Sequence, residues 1–291
     1  KNSIGYKNHQ AEKYFIQQRE KVFELQKLNK DSVYKSAIKA NWIQPTFLIG
    51  FPRSGTTLVE TILRAHSSID ILDELPTVEK MKMSVGSISN ISRIEALDHK
   101  RAEAASGSYF EEVKKHIEIC RKRTVIDKMP LNILHLPLIN HIFPNAKYII
   151  MLRHPLDCLL SCWMQNFKLN PAMGNMVDLE RIVDFYDSAM SILKLSEERY
   201  SLETYRIRYE DLVVDFEENI TKLLNFLGLG IEDKLRNYGR IAPPQHRIRT
   251  PSYSQVIKPL YRHASYRWKN YEEYLGIYKT RLAPWIQKNG Y

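Results

Sequence analysis

The stretch Pro45-Thr46-Phe47-Leu48-Ile49-Gly50-Phe51-Pro52-Arg53-Ser54-Gly55-Thr56-Thr57-Leu58 decides how this chain reads. Thr46 to Gly50 is a short apolar run between proline and glycine, the pattern of a strand buried in a parallel sheet. Beyond the loop Phe51–Thr57, Leu58, Ile62 and Ala65 recur at helical spacing. Two glycines five apart, with hydroxyl residues opening the helix, make a cradle for a phosphate-like anion. Backbone N–H groups and the positive end of the helix dipole would face that anion. The nucleoside triphosphate pattern GxxxxGK[ST] fails at one position, because Thr56 stands where the lysine belongs. That missing lysine, with Arg53 inside the loop, argues against an ATPase or GTPase.

Outward from this loop, apolar runs at Thr124–Asp127, Tyr148–Leu152 and Tyr205–Arg208 read as further strands. Each precedes a helix-like stretch: Leu131–Ile142, Leu156–Phe167 and Glu217–Leu227. Alternating strands and helices imply an α/β fold with a parallel sheet flanked by helices, whose ligands sit beyond the C-terminal ends of the strands. Residues 1–42 read as a helical lead-in or linker, with Tyr14, Phe15, Val22, Phe23, Leu25 and Leu28 at amphipathic spacing. Residues 43–291 read as the main domain, ending in a helix rich in Tyr, Trp, Lys and Arg.

Composition narrows the classes. The 291 residues are 44% hydrophobic, enough for a large core and too rich for a disordered chain. Three cysteines cannot build a disulfide framework, and no CxxC or HExxH spacing offers a metal site. No run of about 18 apolar residues spans a membrane. With 43 Lys+Arg against 33 Asp+Glu the net charge is +10, which leaves nucleic acid, an anionic surface, an acidic protein or a small polyanion open as partner. Few cysteines and no visible signal lead to the expectation of a cytoplasmic protein.

Pro52-Arg53-Ser54-Gly55-Thr56-Thr57 after an apolar strand resembles the 5′-phosphosulfate loop of the sulfotransferases, whose donor is 3′-phosphoadenosine 5′-phosphosulfate (PAPS). That family carries a second signature for the donor's 3′-phosphate, an arginine at a strand end and a serine eight residues on. Arg153, after Ile149-Ile150-Met151-Leu152, and Ser161 supply it. A guanidinium offers a planar fork of donors to phosphate oxygens, and two helical turns bring a hydroxyl to the same face. The resemblance implies a P-loop-like sulfotransferase fold over 43–291. It also implies a donor site of Arg53, Ser54, Gly55, Thr56, Thr57, Arg153 and Ser161, with 3′,5′-adenosine bisphosphate (PAP) as product.

Three further segments resemble the tyrosylprotein sulfotransferases and their bacterial relatives. Glu74, in Ile71-Leu72-Asp73-Glu74-Leu75, matches that branch's catalytic glutamate; Lys128, in Asp127-Lys128-Met129-Pro130, matches its catalytic lysine. Ser252-Tyr253-Ser254-Gln255-Val256-Ile257-Lys258-Pro259 matches a stretch carrying a transition-state serine, Ser252, and donor-binding Gln255 and Lys258. Tyr209 matches a tyrosine near the nucleotide. Arg153 is followed by His-Pro-Leu rather than the Asp-Gly-Arg-like run of the tyrosylprotein enzymes. Arg267-Trp268-Lys269-Asn270-Tyr271 resembles bacterial sulfotransferases that follow a repeat region, so an upstream repeat domain outside this chain is compatible with it.

The resemblance implies in-line attack of an acceptor hydroxyl on sulfur. Glu74 would act as base, Lys128 and Arg53 as cations at the leaving oxygens, and Ser252 as hydrogen-bond donor, with no metal. His66 is the alternative base and reads as structural, at a helix end; Asp127 reads as an orienting partner and Cys158 and Cys162 as packing residues. The acceptor would be a hydroxyl on protein tyrosine, a glycan or a small molecule. Late cations, among them Arg236, Arg240, Arg247, Arg249, Arg262 and Arg267, lead to the expectation of an acidic one. A homodimer is compatible with these features; no nucleic acid and no membrane span are expected. The rival readings are a nucleotide kinase or NTPase on the same loop, and a basic nucleic-acid-binding protein whose aromatic tail stacks on bases.

Overall fold

Side chains alternate along a strand, so each apolar run in this chain feeds two cores. The computed structural model describes residues 2–28, 34–36, 38–40, 42–120, 123–238 and 265–291. Among them β1 (Thr46–Gly50), β2 (Ile69–Asp73), β3 (Thr124–Lys128), β4 (Lys147–Leu152) and β5 (Glu203–Arg208) form a parallel sheet in the order β2-β3-β1-β4-β5. Phe47 and Ile49 join Leu72, Val125, Tyr148, Ile150 and Leu152 on one face; Leu48 joins Ile71, Ile126, Ile149, Met151 and Ile207 on the other.

The second face packs against α2 (Thr56–Leu63), α9 (Tyr209–Val214) and α10 (Phe216–Leu227). The first carries α3 (Thr77–Ser84), α4 (Ile91–Glu95), α5 (His99–Lys114), α6 (Leu136–Ile142), α7 (Pro155–Trp163), α8 (Leu179–Tyr200) and a final helix, α11 (Glu272–Lys288). The lead-in is one long helix, α1 (Asn2–Leu28), which lies on α8 and buries Ala11 and Leu25.

The four expected strands are present. The expected helix at 131–142 is split: a 3-10 turn over Pro130–His135 precedes α6. The helix expected to reach Phe167 stops at Trp163, where Gln165 and Asn166 break its apolar face. Neither β2 nor α8 is announced by an apolar run. β2 reads Ile-Asp-Ile-Leu-Asp, and aspartate is depleted in strands. Arg123 holds it in place: its Nε and NH2 each reach an Asp70 oxygen at 2.6 Å, and it also donates to the Ser67 and Ile69 carbonyls.

The strand order positions the site. The connection after β1 leads toward β2 on one side, and that after β4 leads to β5 on the other. Their loops diverge and leave a crevice between the C-terminal ends of β1 and β4.

Candidate active site

The β1–α2 loop depends on two glycines. A Cβ at Gly50 would lie 2.6 Å from the Met151 carbonyl oxygen and 2.8 Å from Ser54 Oγ. Gly55 has φ of +109°, and a Cβ there would meet Met151 Cε at 2.8 Å and Tyr209 Cδ2 at 2.9 Å. Arg53 also takes a left-handed conformation, φ 69°, which costs a side-chain-bearing residue about 1–2 kcal/mol and marks a tightly constrained turn. All eight residues of α2 are buried, so Thr56 and Thr57 open a helix sealed against the sheet. Ser54 is 1% exposed, and its Oγ has no hydrogen-bond partner among the described residues. A glycine cradle, a buried hydroxyl without a partner and a helix N-terminus together fit an anionic phosphate group.

The second loop touches the first. Arg53 Nε donates to Ser161 Oγ at 3.0 Å, and an Arg153 NH1 donates to the Arg53 carbonyl at 3.0 Å. The Arg153 guanidinium lies 5.0 Å above the Tyr209 ring, and Tyr209 in turn closes on Gly55. Arg53, Ser54, Gly55, Thr56, Thr57, Arg153, Ser161 and Tyr209 thus converge on one end of the crevice. Burial lowers the Arg53 pKa, and Arg153 adds to that, as expected of two guanidinium groups sharing a confined space.

Around Arg153 the start of α7 is braced by long-range contacts. The His154 backbone N–H donates to Glu210, and its ring stacks on Trp268 at 5.0 Å. Burial, with Lys279, Lys269 and other cations nearby, pushes the His154 pKa down to about 4, so the imidazole is neutral. Asp157 accepts the backbone N–H groups of Tyr266 and Trp268 at 2.7 and 2.9 Å, which ties the C-terminal segment to the Arg153 loop. Cys158 and Cys162 are buried on α7, and burial pushes the Cys162 thiol up to about 12. Both therefore pack rather than react. Trp268 is buried against the protein, whereas Tyr266 is 38% exposed, its ring in edge contact with His154.

On the other side of β1, β2 and β3 end in a charged knot. Asp73 pairs with Lys128 in the sheet register. Lys128 is fully buried, and its Nζ lies 2.5 Å from Asp73 Oδ1, 2.9 Å from Glu74 Oε1 and 3.1 Å from Glu60 Oε2. Burial alone would lower the lysine's pKa; Glu60, Glu74 and Asp73 outweigh it and hold the ammonium above its ordinary value. Glu74 is the outermost of the three acids, its side chain 31% exposed against 2% for Glu60 and 10% for Asp73. Burial raises its pKa, Lys128 opposes, and Asp73 and Glu60 add to the rise. A carboxylate made more basic, beside a fixed cation, has the makings of a general base.

Asp127 points to the opposite face from Lys128. It accepts from Thr77 Oγ1 at 2.5 Å and Tyr109 OH at 3.0 Å, and so pins α3 and α5 to β3. His66 lies beyond the C-terminal end of α2, away from the loop, bonded to the Gly230 carbonyl and the Ser68 N–H. Ser252, Gln255 and Lys258 lie outside the described residues. Glu60, Asp73, Asp157 and Glu210 are site residues that motif reading missed. The signal for Glu60 was there: an acid four residues after Thr56 on an otherwise apolar helix. Among the described residues no group of His, Cys, Asp or Glu is arranged to hold a metal ion, and no helix is long and apolar enough to cross a membrane.

Comparison with known proteins adds independent findings. A sequence model described as the Sulfotransferase family matches residues 45–233. An uncharacterized protein of Aquifex aeolicus is 32% identical over 242 residues, 80% of this chain but only 31% of that relative. Protein-tyrosine sulfotransferase A of Caenorhabditis elegans is 23% identical over 259 residues, 84% of this chain and 66% of that protein. The chain therefore spans less than two thirds of these relatives' length. Among solved structures, the sulfotransferase domain of the Synechococcus PCC 7002 olefin synthase gives a TM-score of 0.54 at 23% identity, over 81% of this chain and 91% of that one. Mouse sulfotransferase SULT7A1 complexed with PAP gives 0.50 at 17% identity, over 89% and 88%. At these identities the likeness bears on fold alone.

Proposed function

The chain belongs to the sulfotransferase family, and from that premise we propose that it moves a sulfuryl group from PAPS to an acceptor hydroxyl. One observation carries the reading: Arg53 of the first loop bonds Ser161, the serine eight residues after Arg153, at 3.0 Å. Two motifs 100 residues apart in sequence touch one another, which supports a shared site for a donor with a 5′-phosphosulfate and a 3′-phosphate. Ser54 Oγ, the first N–H groups of α2 and Arg53 would hold the 5′-phosphosulfate; Arg153 and Ser161 would hold the 3′-phosphate, with Tyr209 beside the nucleotide.

In the transfer the acceptor oxygen attacks sulfur, the bond from sulfur to the 5′-phosphate oxygen breaks, and the acceptor proton passes to Glu74. Lys128 and Arg53 offset charge on the oxygens that carry it as PAP departs. Ser252, Gln255 and Lys258 belong to the same proposal as further contacts. The C. elegans relative is named for protein tyrosine, and a tyrosine-bearing acidic peptide is the first acceptor to test. The kinase and nucleic-acid readings gain no support from the relatives quoted above.

The test is PAP binding in the presence of EDTA, followed by turnover of labelled PAPS with tyrosine peptides, glycans and phenols. We expect PAP to raise the melting temperature at saturation, and Glu74→Gln to bind PAP yet lose about 10²-fold or more in rate. No PAP binding by the intact protein would refute the donor; near-normal turnover by Glu74→Gln would remove it as base.

A further inference from the structure

Lys128 sits among three carboxylates drawn from two elements: it donates a hydrogen bond to Glu74 and forms ion pairs with Asp73 and Glu60. Asp73 is its neighbour in the sheet, Glu74 follows directly after that strand, and Glu60 reaches it from α2, the helix that begins at the phosphate loop. Glu60 is 1% exposed, and its other oxygen takes a 2.6 Å hydrogen bond from Arg64. An acid this buried is retained at a cost unless its charge is answered, and here two cations answer it.

We propose that Glu60 is a positioning residue: with Asp73 it anchors the Lys128 ammonium, and it leaves Glu74 as the exchangeable, proton-accepting member of the knot. The proposal rests on the sulfotransferase reading, since it assigns Glu74 and Lys128 their roles. Its logic is electrostatic. One ammonium facing a single carboxylate would hold that carboxylate as a stable, weakly basic ion pair. Shared among three, the same ammonium neutralises Glu74 only in part, and the charges of Glu60 and Asp73 favour a proton on it. Burial keeps Glu60 and Asp73 where they are; Glu74, the outermost, alone can turn to an incoming hydroxyl. The groups that face Glu74 are thus Lys128 from β3, Asp73 from β2 and Glu60 from α2, with Arg64 behind Glu60. Because α2 also carries Thr56 and Thr57, the anchor fixes the lysine relative to the loop that holds the donor.

The test needs no acceptor. Protein labelled with ¹³C at glutamate carboxyls is titrated by NMR, and the Glu74 signal is the one lost in Glu74→Gln. PAP affinity is measured on the same samples by calorimetry. Glu60 and Glu74 oxygens each lie about 3 Å from one Nζ, hence no more than about 6 Å apart. At that separation we expect Glu60→Gln to lower the Glu74 midpoint by about one pH unit. Glu60→Asp should restore most of it, which a merely structural acid would not do. Arg64→Gln removes a cation from the surface side and should move the midpoint upward; it serves where Glu60→Gln does not fold. A Glu74 midpoint unmoved in the folded variants overturns the proposal. Absence of PAP binding in the parent protein instead overturns the donor reading on which it rests.

Discussion

Replacing Ser54 by alanine should change the free and the ligand-bound protein in opposite directions. Ser54 Oγ is buried without a partner among the described residues, and an unanswered buried hydroxyl costs about 1 kcal/mol or more. Alanine removes that cost. Unfolding entropy near 2.1 cal/mol/K per residue gives about 0.6 kcal/mol per degree for 291 residues, so the free variant should melt about 2 °C higher. If Ser54 binds the donor's 5′-phosphate, the same change deletes a charge-assisted hydrogen bond worth about 1.5–3 kcal/mol, or roughly tenfold to hundredfold in PAP affinity. At a PAP concentration of about 100 times the parent's Kd, ligand stabilises the parent by about 2.7 kcal/mol, a rise of roughly 4–5 °C. The variant at that concentration should gain only about 0.4–1.4 kcal/mol, roughly 1–2 °C. Thermal melts with and without PAP read both effects from one sample. A free variant that melts lower than the parent, or one that keeps the full PAP shift, would refute the reasoning.

Two other predictions test parts of the frame. Burial raises the Asp127 carboxyl from 3.8 to about 6 despite its bonds from Thr77 and Tyr109. The folded state therefore binds more protons than the unfolded one between those values, and this carboxyl's contribution to stability falls as pH rises through about 4 to 6. Asp127→Asn, which keeps an acceptor oxygen, should gain on the parent by about 2–3 kcal/mol between pH 4 and pH 8, measured by urea unfolding; a constant difference would be contrary. Glu95 takes Arg199 in two bonds of 2.5 and 2.8 Å and Tyr200 OH at 2.9 Å, all nearly buried, and so ties α4 to the end of α8. Glu95→Ala should cost about 3 kcal/mol, roughly 5 °C in melting temperature; a loss within about 0.5 kcal/mol would mean the pair behaves as a screened surface contact.

Much of the fold was legible in local pattern. β1, β3 and β4 are apolar runs closed by Gly, charge or turn residues, and a strand buried on both faces has little choice of composition. β5, an edge strand, is mostly half-exposed and showed only through its alternating Tyr205 and Ile207. β2 was not, because its two aspartates contradict strand preference and Arg123, more than fifty residues away, supplies the compensation. The donor-loop residues were legible for a related reason. Gly55, Arg53 and Thr56 are constrained by backbone geometry over a handful of neighbouring positions, so the motif carries its own structural context. Asp157 and Glu210 were not, since each acts by accepting N–H groups from segments far along the chain, Tyr266 and Trp268 for the one and His154 for the other.

The same division runs through the candidate active site. The sequence alone determined a parallel α/β frame, an anion loop without the nucleotide lysine, and a second arginine–serine pair, because each is written in periodicity or in spacings of at most eight residues. It also singled out Glu74 and Lys128 by resemblance. Only the tertiary structure decided that Arg53 reaches Ser161, that Asp127 meets Thr77 and Tyr109, and that the lysine is shared by three acids. Those facts depend on which strands are neighbours, in which register, and on which turn of α2 lies over them. Pairwise charge interactions fall off over a few ångströms, so the properties of Glu74 follow from that packing and not from its neighbours in sequence.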